Sequence, residues 1–288
     1  MNHLWNFLLH HPLLEGRAFF AFRRFVYWQI RSRLISRPMA FTWIGGSRLW
    51  LRRGWTGLTG NYYAGLNDFE EMAFLLHFLR PADLFVDVGA NMGSYTVLAG
   101  AVSRSRVIAY EPVRETYLRL VANVELNGIE GNVVTRNAAV GTMTGFLQMT
   151  SLLDSTNHVT DNTGEGERVL SVALDGDVAE TPVLLKIDVE GYELDVLKSA
   201  SRHLANPALK AIIIEINGAG RRYGYPDDAI RSLLEDAGFS AHIYEPVSRT
   251  LRYEGPRKGD NVLYCRDVAS IESRLRVAPA FEVAGRSF

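Results

Sequence analysis

The stretch LFVDVGANMGSYTVLAG (Leu84–Gly100) carries the densest chemistry in the chain. An apolar run ends in Asp87-Val88, passes through Gly89-Ala90-Asn91-Met92-Gly93 and enters a helix at Ser94. Gly89 can take a positive φ and let a ligand meet bare backbone, while Gly93 lets the helix start pack close to the strand. A turn of this kind at the carboxyl end of the first strand is where doubly wound sheets hold nucleosides. Dinucleotide sites use G-x-G-x-x-G to seat a pyrophosphate on a helix N-terminus. Here Asn91 stands at the middle glycine, which leaves G-x-x-x-G and weakens the reading as an NAD-dependent oxidoreductase. An acid at the strand end, Asp87, disfavours a pyrophosphate and suits the ammonium of an amino acid. The next apolar run ends VIAYEP, and Glu111 lies 24 residues after Asp87, where a carboxylate can accept from both ribose hydroxyls. Together these residues describe an adenosyl amino acid, S-adenosylmethionine. Asp87, Gly89, Ala90, Asn91 and Gly93 hold its methionine part, and Glu111 holds its ribose.

A second constellation is VLLKIDVEGYELDVLKSA (Val183–Ala200). The two-residue period of a strand puts Lys186 and Asp188 on one face, with Glu190-Gly191 expected to begin the following helix. At the end of a central strand beside the first, Asp188 falls next to the sulfonium methyl. There it can act as general base on a hydroxyl or bind an ion. Lys186 either positions a carboxylate or offsets the charge of Asp188. Glu190 is a second catalytic candidate, or else an acid stabilised at a helix N-terminus. In IIIEINGAG, Glu215 ends the next strand as a substrate or ion ligand, or as a structural acid. Asp188, Glu190 and Glu215 together would suit Mg²⁺, although the expectation is that no metal is used. Asn157 and His158, in the long polar loop Ser151–Arg168, are further candidates for reaching the substrate.

These side chains need a scaffold. Short apolar runs at Leu84–Val88, Val107–Tyr110, Val133–Asn137, Val183–Ile187 and Ala211–Ile216 alternate with helical segments at Ser94–Val102, Arg114–Asn127, Glu190–Leu204 and Asp227–Ala237. Runs that are apolar on both faces belong to parallel strands covered by helices on each side, so the alternation predicts a doubly wound α/β sheet. Late runs near Ala241–Tyr244 and Val262–Cys265 would close one edge as a hairpin. Ahead of the sheet, Asp68–Leu79 reads as a helix with acids at its start.

Residues 1–60 are different in character. They carry nine Arg and a single acid, Glu15, a sum of +8, so a chain of net charge −1 leaves −9 for residues 61–288. A helical extension is expected over roughly 17–36, where aromatic and aliphatic residues interleave with Arg23, Arg24, Arg31 and Arg33. One reading packs this helix on the catalytic domain with its Arg stems snorkelling. The other attaches it to an anionic membrane surface or a lipid-linked substrate. The opening MNHLWNFLLHHPLLEG lacks a basic start and a small-residue cleavage site, so it is not read as a removed signal peptide. No run is long enough to span a bilayer. A cytoplasmic protein, peripheral to the inner membrane face if the second reading holds, is expected. The overall charge gives no sign of nucleic-acid binding. One cysteine, Cys265, excludes a disulfide framework or a Cys-based zinc site.

The motifs VDVGANMGSYT, AYEP, LLKIDVEGYELDVLKSA and IIIEINGAG resemble those of the FkbM family of S-adenosylmethionine-dependent methyltransferases. The likeness runs from about Asn67 to Ile216, with KIDVEGYE its most specific part, and leaves the first 60 residues outside. It implies a Rossmann-like class I methyltransferase fold whose seven-stranded sheet has an antiparallel last strand. ELNGIEGN followed by NAAVG also fits the family and implies that Asn137, Ala138 and Ala139 lie near the adenine. The implied activity is O-methylation of a hydroxyl on a sugar of a glycan or lipid-linked saccharide, with a small natural product as the alternative acceptor. The sulfonium methyl is already activated, so such an enzyme must align the acceptor oxygen and remove its proton.

Overall fold

The computed structural model describes residues 7–55, 57–150, 157–160, 166–254, 259–283 and 285–288. The chain opens with helix α1 (Ala18–Leu34), the hairpin β1 (Met39–Thr42) and β2 (Arg48–Leu51), and helices α2 (Thr59–Ala64) and α3 (Phe69–Phe78). Then come β3 (Leu84–Val88), α4 (Ser94–Val97), β4 (Arg106–Tyr110), α5 (Arg114–Asn127) and β5 (Val133–Arg136). A small three-stranded sheet follows, made of β6 (Ala139–Val140), β7 (Gly145–Met149) and β8 (Glu167–Val172). After a short α6 (Leu174–Asp177) come β9 (Leu184–Ile187), α7 (Glu193–Lys198), α8 (Ser201–Ala205), β10 (Ala211–Ile216) and α9 (Asp227–Asp236). The chain ends with β11 (Ser240–Glu245), β12 (Thr250–Tyr253), β13 (Gly259–Cys265), α10 (Val268–Arg276) and two two-residue strands.

The main sheet has the order β12-β11-β13-β10-β9-β3-β4-β5. Strands β5, β4, β3, β9 and β10 run parallel, and β13 is antiparallel to both β10 and β11. The doubly wound reading therefore holds, with eight strands where seven are expected. The extra strand is β12, an exposed edge whose sequence TLRY lacks a continuous apolar run. Central strands are buried on both faces, as LFVDV in β3 and LLKI in β9 show. Their side chains alternate between two cores: Phe85 and Ile213 pack on one side, Val86, Ile187 and Ile214 on the other. The first core also takes Leu8, Leu13, Trp28, Trp43, Leu49 and Leu51, so part of the basic segment shares its burial with the sheet.

Two expected helices change character. Ser94–Val102 starts as α-helix and continues as a π turn over Leu98–Val102. The helix expected over Glu190–Leu204 starts at Glu193 and breaks before Ser201. Glu190 lies outside it at φ 55°, followed by Gly191 at φ 105°. The acid that serves the helix start is Glu193, whose Oε1 accepts from the backbone N–H of Gly191 (2.9 Å) and Val189 (3.3 Å). Asp68, expected as a helix-start acid, makes no cap bond in α3. It accepts instead from Tyr95 Oη (3.0 Å) and from Asn67 Nδ2 (2.6 Å). Among the described residues no helix is long and apolar enough to cross a membrane.

Candidate active site

A cavity of about 410 Å³ opens at the carboxyl ends of β3, β4, β9 and β10. That edge, where the strand order reverses, is where open α/β sheets bind ligands. One end of it is built by the glycine turn. The N–H groups of Gly89 and Ala90 both donate to Tyr110 O, at 3.0 and 2.8 Å, which pins the turn to β4. A side chain at Gly89 (φ 80°) would lie 1.8 Å from Asp188 O, so only glycine lets β3 and β9 close up here. Asn91, at φ 51°, accepts from the N–H of Met92 through its own Oδ1 (2.7 Å). Asparagine tolerates the left-handed region through local bonds of this kind, which explains how it replaces a glycine.

Glu111 lines the cavity at the end of β4. Its Oε2 accepts from Asn91 N and its Oε1 from Val113 N, both at 3.0 Å. Burial pushes its carboxyl up to about 8, although the two backbone donors oppose this. Each carboxylate oxygen retains a lone pair, so the pair of ribose hydroxyls still fits. Ala138 and Ala139 line the same region. Asn137 instead ties the chain behind them, donating to Glu111 O (3.0 Å) and Pro112 O (2.8 Å). Gly93 is outside the lining. It caps α4 at φ 88°, where a side chain would meet Leu120 Cδ1 at 2.5 Å.

Asp87 lies behind the cavity wall, fully buried. Its Oδ2 accepts from Thr96 Oγ1 (2.7 Å), and its Oδ1 has no partner. In the β3–β9 register Asp87 sits beside Lys186, a buried lysine whose Nζ donates to Asp188 Oδ2 at 2.8 Å. The same Nζ stands 4.8 Å from the ring centroid of Tyr95. Burial alone would lower the Lys186 pKa, but Asp188 and Asp87 outweigh it and hold the ammonium charged. Asp68 and Tyr95 extend this chain of contacts, and neither was foreseen from the motifs. A fragment such as NYYAGLND has no spacing that announces a site, and only the fold brings Asn61, Asn67 and Asp68 into the lining.

At the other end stand Asp188, Glu190 and Glu215, each offering a carboxylate oxygen within 4.8 Å of the others. Burial and then Asp188 push Glu190 up to about 7. Glu215 is pushed to about 9 by burial, by Asp188 and by Glu190, and its buried Oε2 has no partner. This spacing suits a divalent cation or a shared proton. Asn261, whose buried Oδ1 also has no partner, and Tyr192 complete this end. Tyr192 packs edge-on against Tyr223 at 5.3 Å, and Tyr223 Oη donates to Val159 O at 2.8 Å. That bond brings the polar loop to the cavity. Asn157 and Val159 line it, but His158 is not among the lining residues. The N–H of His158 donates to Thr150 Oγ1 at 3.0 Å. Residues 151–156 and 161–165 of the loop lie outside the described residues.

A glycine turn after the first strand, an acid ending the second and an antiparallel strand inserted beside β10 define a class I S-adenosylmethionine-dependent methyltransferase fold. The chain belongs to the FkbM family of these methyltransferases: the methyltransferase FkbM domain matches residues 87–241, just over half of it. The NAD reading of the glycine turn falls with that match. Hexuronic acid methyltransferase AglP of Haloferax volcanii is 25% identical over 179 residues, 60% of this chain and 70% of that protein. Among solved structures, the methyltransferase FkbM of Methylobacillus flagellatus is 17% identical with a TM-score of 0.44, over 72% of this chain. This chain spans about half (52%) of that one. TYW2 of P. horikoshii, in complex with MeSAdo, is 13% identical with a TM-score of 0.45, over 88% of this chain and 84% of that one.

Proposed function

We propose that the chain methylates a hydroxyl of a saccharide, on a glycan or a lipid-linked sugar, and that the accepting sugar carries no carboxylate. The observation that carries the second half is the acidic lining of the acceptor end. Asp188, Glu190 and Glu215 line it with Tyr192, and the one cation in the described lining, Lys186, is already paired to Asp188. A uronic acid placed there would meet three acids, with Lys186 paired to Asp188 and Arg222, outside the lining, donating to Glu190 O at 3.1 Å. A neutral sugar would bring hydroxyls to carboxylate acceptors and a ring face to Tyr192. The hexuronic acid methyltransferase of H. volcanii supports sugars as the acceptor class at 25% identity, without fixing which sugar.

When bound, S-adenosylmethionine supplies a methyl group on a positively charged sulfur. In this reading Glu111 accepts from the ribose hydroxyls, Ala138 and Ala139 flank the adenine, and Gly89, Ala90 and Asn91 leave room for the methionine part. Asp87 acts from behind the wall as a buried negative charge. Asp188 takes the acceptor proton as the C–S bond breaks and the new C–O bond forms. With Oδ2 held by Lys186, the proton goes to Oδ1. Lys186 is a positioning residue that fixes that carboxylate. Glu190 and Glu215 hold the sugar hydroxyls flanking the acceptor, and His158 has no step in this scheme.

The test is a panel of free and lipid-linked saccharides incubated with purified protein and S-adenosylmethionine, with products read by mass spectrometry. Methylated neutral sugars, at least about ten-fold better turned over than the matching uronic acids, are expected; one charge contact of about 1.4 kcal/mol suffices for that ratio. Preference for the uronic acids overturns the charge argument. Methylation of only non-sugar hydroxyls overturns the acceptor class.

A further inference from the structure

The outward face of α1 is apolar where a helix packed on a domain should be polar. Phe19, Phe22, Val26, Tyr27, Ile30 and Leu34 are 36–79% exposed, while Ala21, Trp28 and Ser32 on the opposite side are buried. At 100° per residue, Phe19, Val26, Ile30 and Leu34 fall within one narrow outward stripe. Arg33 lies on one flank of it and Arg31 on the other, while Arg23 stands within it between Ile30 and Leu34, all three exposed. The helix contains no Asp or Glu. A second copy of the chain would bring the same arginines against these, so self-association across this face is opposed by charge.

We infer that this face of α1 lies in the interfacial layer of an anionic bilayer. The apolar stripe enters the acyl boundary, and Arg23, Arg31 and Arg33 reach back to lipid phosphates. The 17-residue helix is too short and too charged to span the bilayer, so it lies along the surface. Its inner side is anchored to α2: Trp28 contacts Tyr62 at 5.4 Å between ring centroids, Phe25 contacts Tyr63 at 6.0 Å, and the Arg24 guanidinium stands 4.6 Å from the Tyr62 ring centroid. Asn61, on the same α2, lines the cavity. One short helix thus joins the bilayer face to the site. The inference stands on α1 alone and does not depend on which sugar is methylated.

The experiment is co-flotation of the full chain with vesicles of phosphatidylcholine alone or mixed with phosphatidylglycerol. Binding to the mixed vesicles is expected, at least ten-fold weaker on phosphatidylcholine and reduced by high salt, which shortens electrostatic reach. The combined variant Phe19→Ser, Val26→Ser, Ile30→Ser and Leu34→Ser should lose at least ten-fold, as should Arg23→Glu, Arg31→Glu and Arg33→Glu together. Circular dichroism of each variant reports folding. If the apolar variant fails to fold, Ile30→Cys labelled with an environment-sensitive dye carries the test, since Cys265 is buried. Its emission should shift to the blue on anionic vesicles. Failure of the wild type to float with anionic vesicles, or an unshifted label, overturns the proposal. So does a vesicle-free dimer, seen by sedimentation, that the apolar variant breaks into monomers.

Discussion

The two ends of the cavity are built differently, although both sit on the same sheet edge. At the cofactor end the polar groups largely answer one another: Glu111 accepts from two backbone N–H groups, and Asn91 closes its own turn. At the acceptor end three carboxylates crowd within 4.8 Å, one of them with an oxygen that has no partner, and Glu190, like Asn91 at the other end, is held at a positive φ. Left-handed conformations in non-glycine residues cost about 1–2 kcal/mol and persist where surrounding structure enforces them. A receptor for an invariant ligand can be finished in advance by the backbone. In the proposed reading the acceptor end handles a proton, a task that its three crowded carboxylates suit.

The largest effect should come from the acceptor end. Asp188→Asn keeps the volume and removes the base, so turnover should fall by about 10²-fold or more. Affinity for S-adenosylhomocysteine, read by calorimetry, should stay within a few fold. Unchanged turnover removes Asp188 as the base. Chelation sharpens the same point: EDTA should leave turnover within about two-fold if the carboxylate itself takes the proton. Loss on EDTA with recovery on Mg²⁺ would move the chemistry to a cation held by Asp188, Glu190 and Glu215.

The cofactor end should answer in binding rather than in turnover. Above about pH 8, where the Glu111 carboxyl is ionised, Glu111→Gln exchanges a charged acceptor for a neutral one at both proposed ribose hydroxyl contacts. Hydrogen bonds to charged groups contribute about 1.5–3 kcal/mol, so cofactor affinity should weaken by about ten- to a hundred-fold. Turnover at saturating cofactor should change little. A fall in saturated turnover as large as that of Asp188→Asn would mean the two ends are not separable in this way.

Legibility in the sequence follows the same division. Gly89, Ala90, Asn91 and Glu111 belong to turns whose spacing is dictated by one strand–helix crossing, so their place in the cavity lining could be read from local pattern, whereas Asp87 and Gly93 of the same pattern lie outside that lining. The acceptor end is assembled from β9, β10, the segment near Asn261 and the loop carrying Asn157, which are far apart along the chain. Spacing located Asp188 and Glu215 at strand ends and put Glu190 at the start of the following helix. It could not show that Glu190 precedes its helix, because two left-handed residues, Glu190 and Gly191, intervene. Asp68 and Tyr95 escaped notice because an acid at a helix start and a tyrosine inside a helix have ordinary local explanations. Only the packing of α3 against α4 makes them partners. The strand β12 was missed for a related reason: an exposed edge strand carries no apolar run to betray it.

Gly93, at the start of α4, and Gly128, at the end of α5, separate backbone strain from packing. Gly93 and Gly128 both have positive φ, but a side chain would strike Leu120 at Gly93 and open space at Gly128. Gly128→Ala should cost about 1 kcal/mol, the strain alone, in urea unfolding. Gly93→Ala should cost about 1–3 kcal/mol more, because Leu120 must move in a filled core. Equal costs would show that α4 and α5 yield where the contact distance says they cannot.

The smallest effect is a pH dependence in which the two ends act together. Glu111, Glu190 and Glu215 are pushed up to about 8, 7 and 9 from an ordinary 4.5, by burial first. Each therefore holds its proton more tightly in the folded chain than in the unfolded one. The stability this gives is complete below about 4.5 and is lost as pH rises through 7 to 9. The melting temperature of the cofactor-free protein should fall across that window. A ligand that places positive charge beside these carboxylates favours their ionised forms. S-adenosylmethionine, with its sulfonium, should therefore stabilise increasingly as pH rises from 6 to 9. S-adenosylhomocysteine has a neutral thioether at that position, so its stabilisation should grow less. One kcal/mol of difference corresponds to about 2–4 °C for a chain of this size, which differential scanning fluorimetry resolves. Parallel curves for the two ligands would place the sulfur away from the acids, and with it Asp188 away from the transferred methyl.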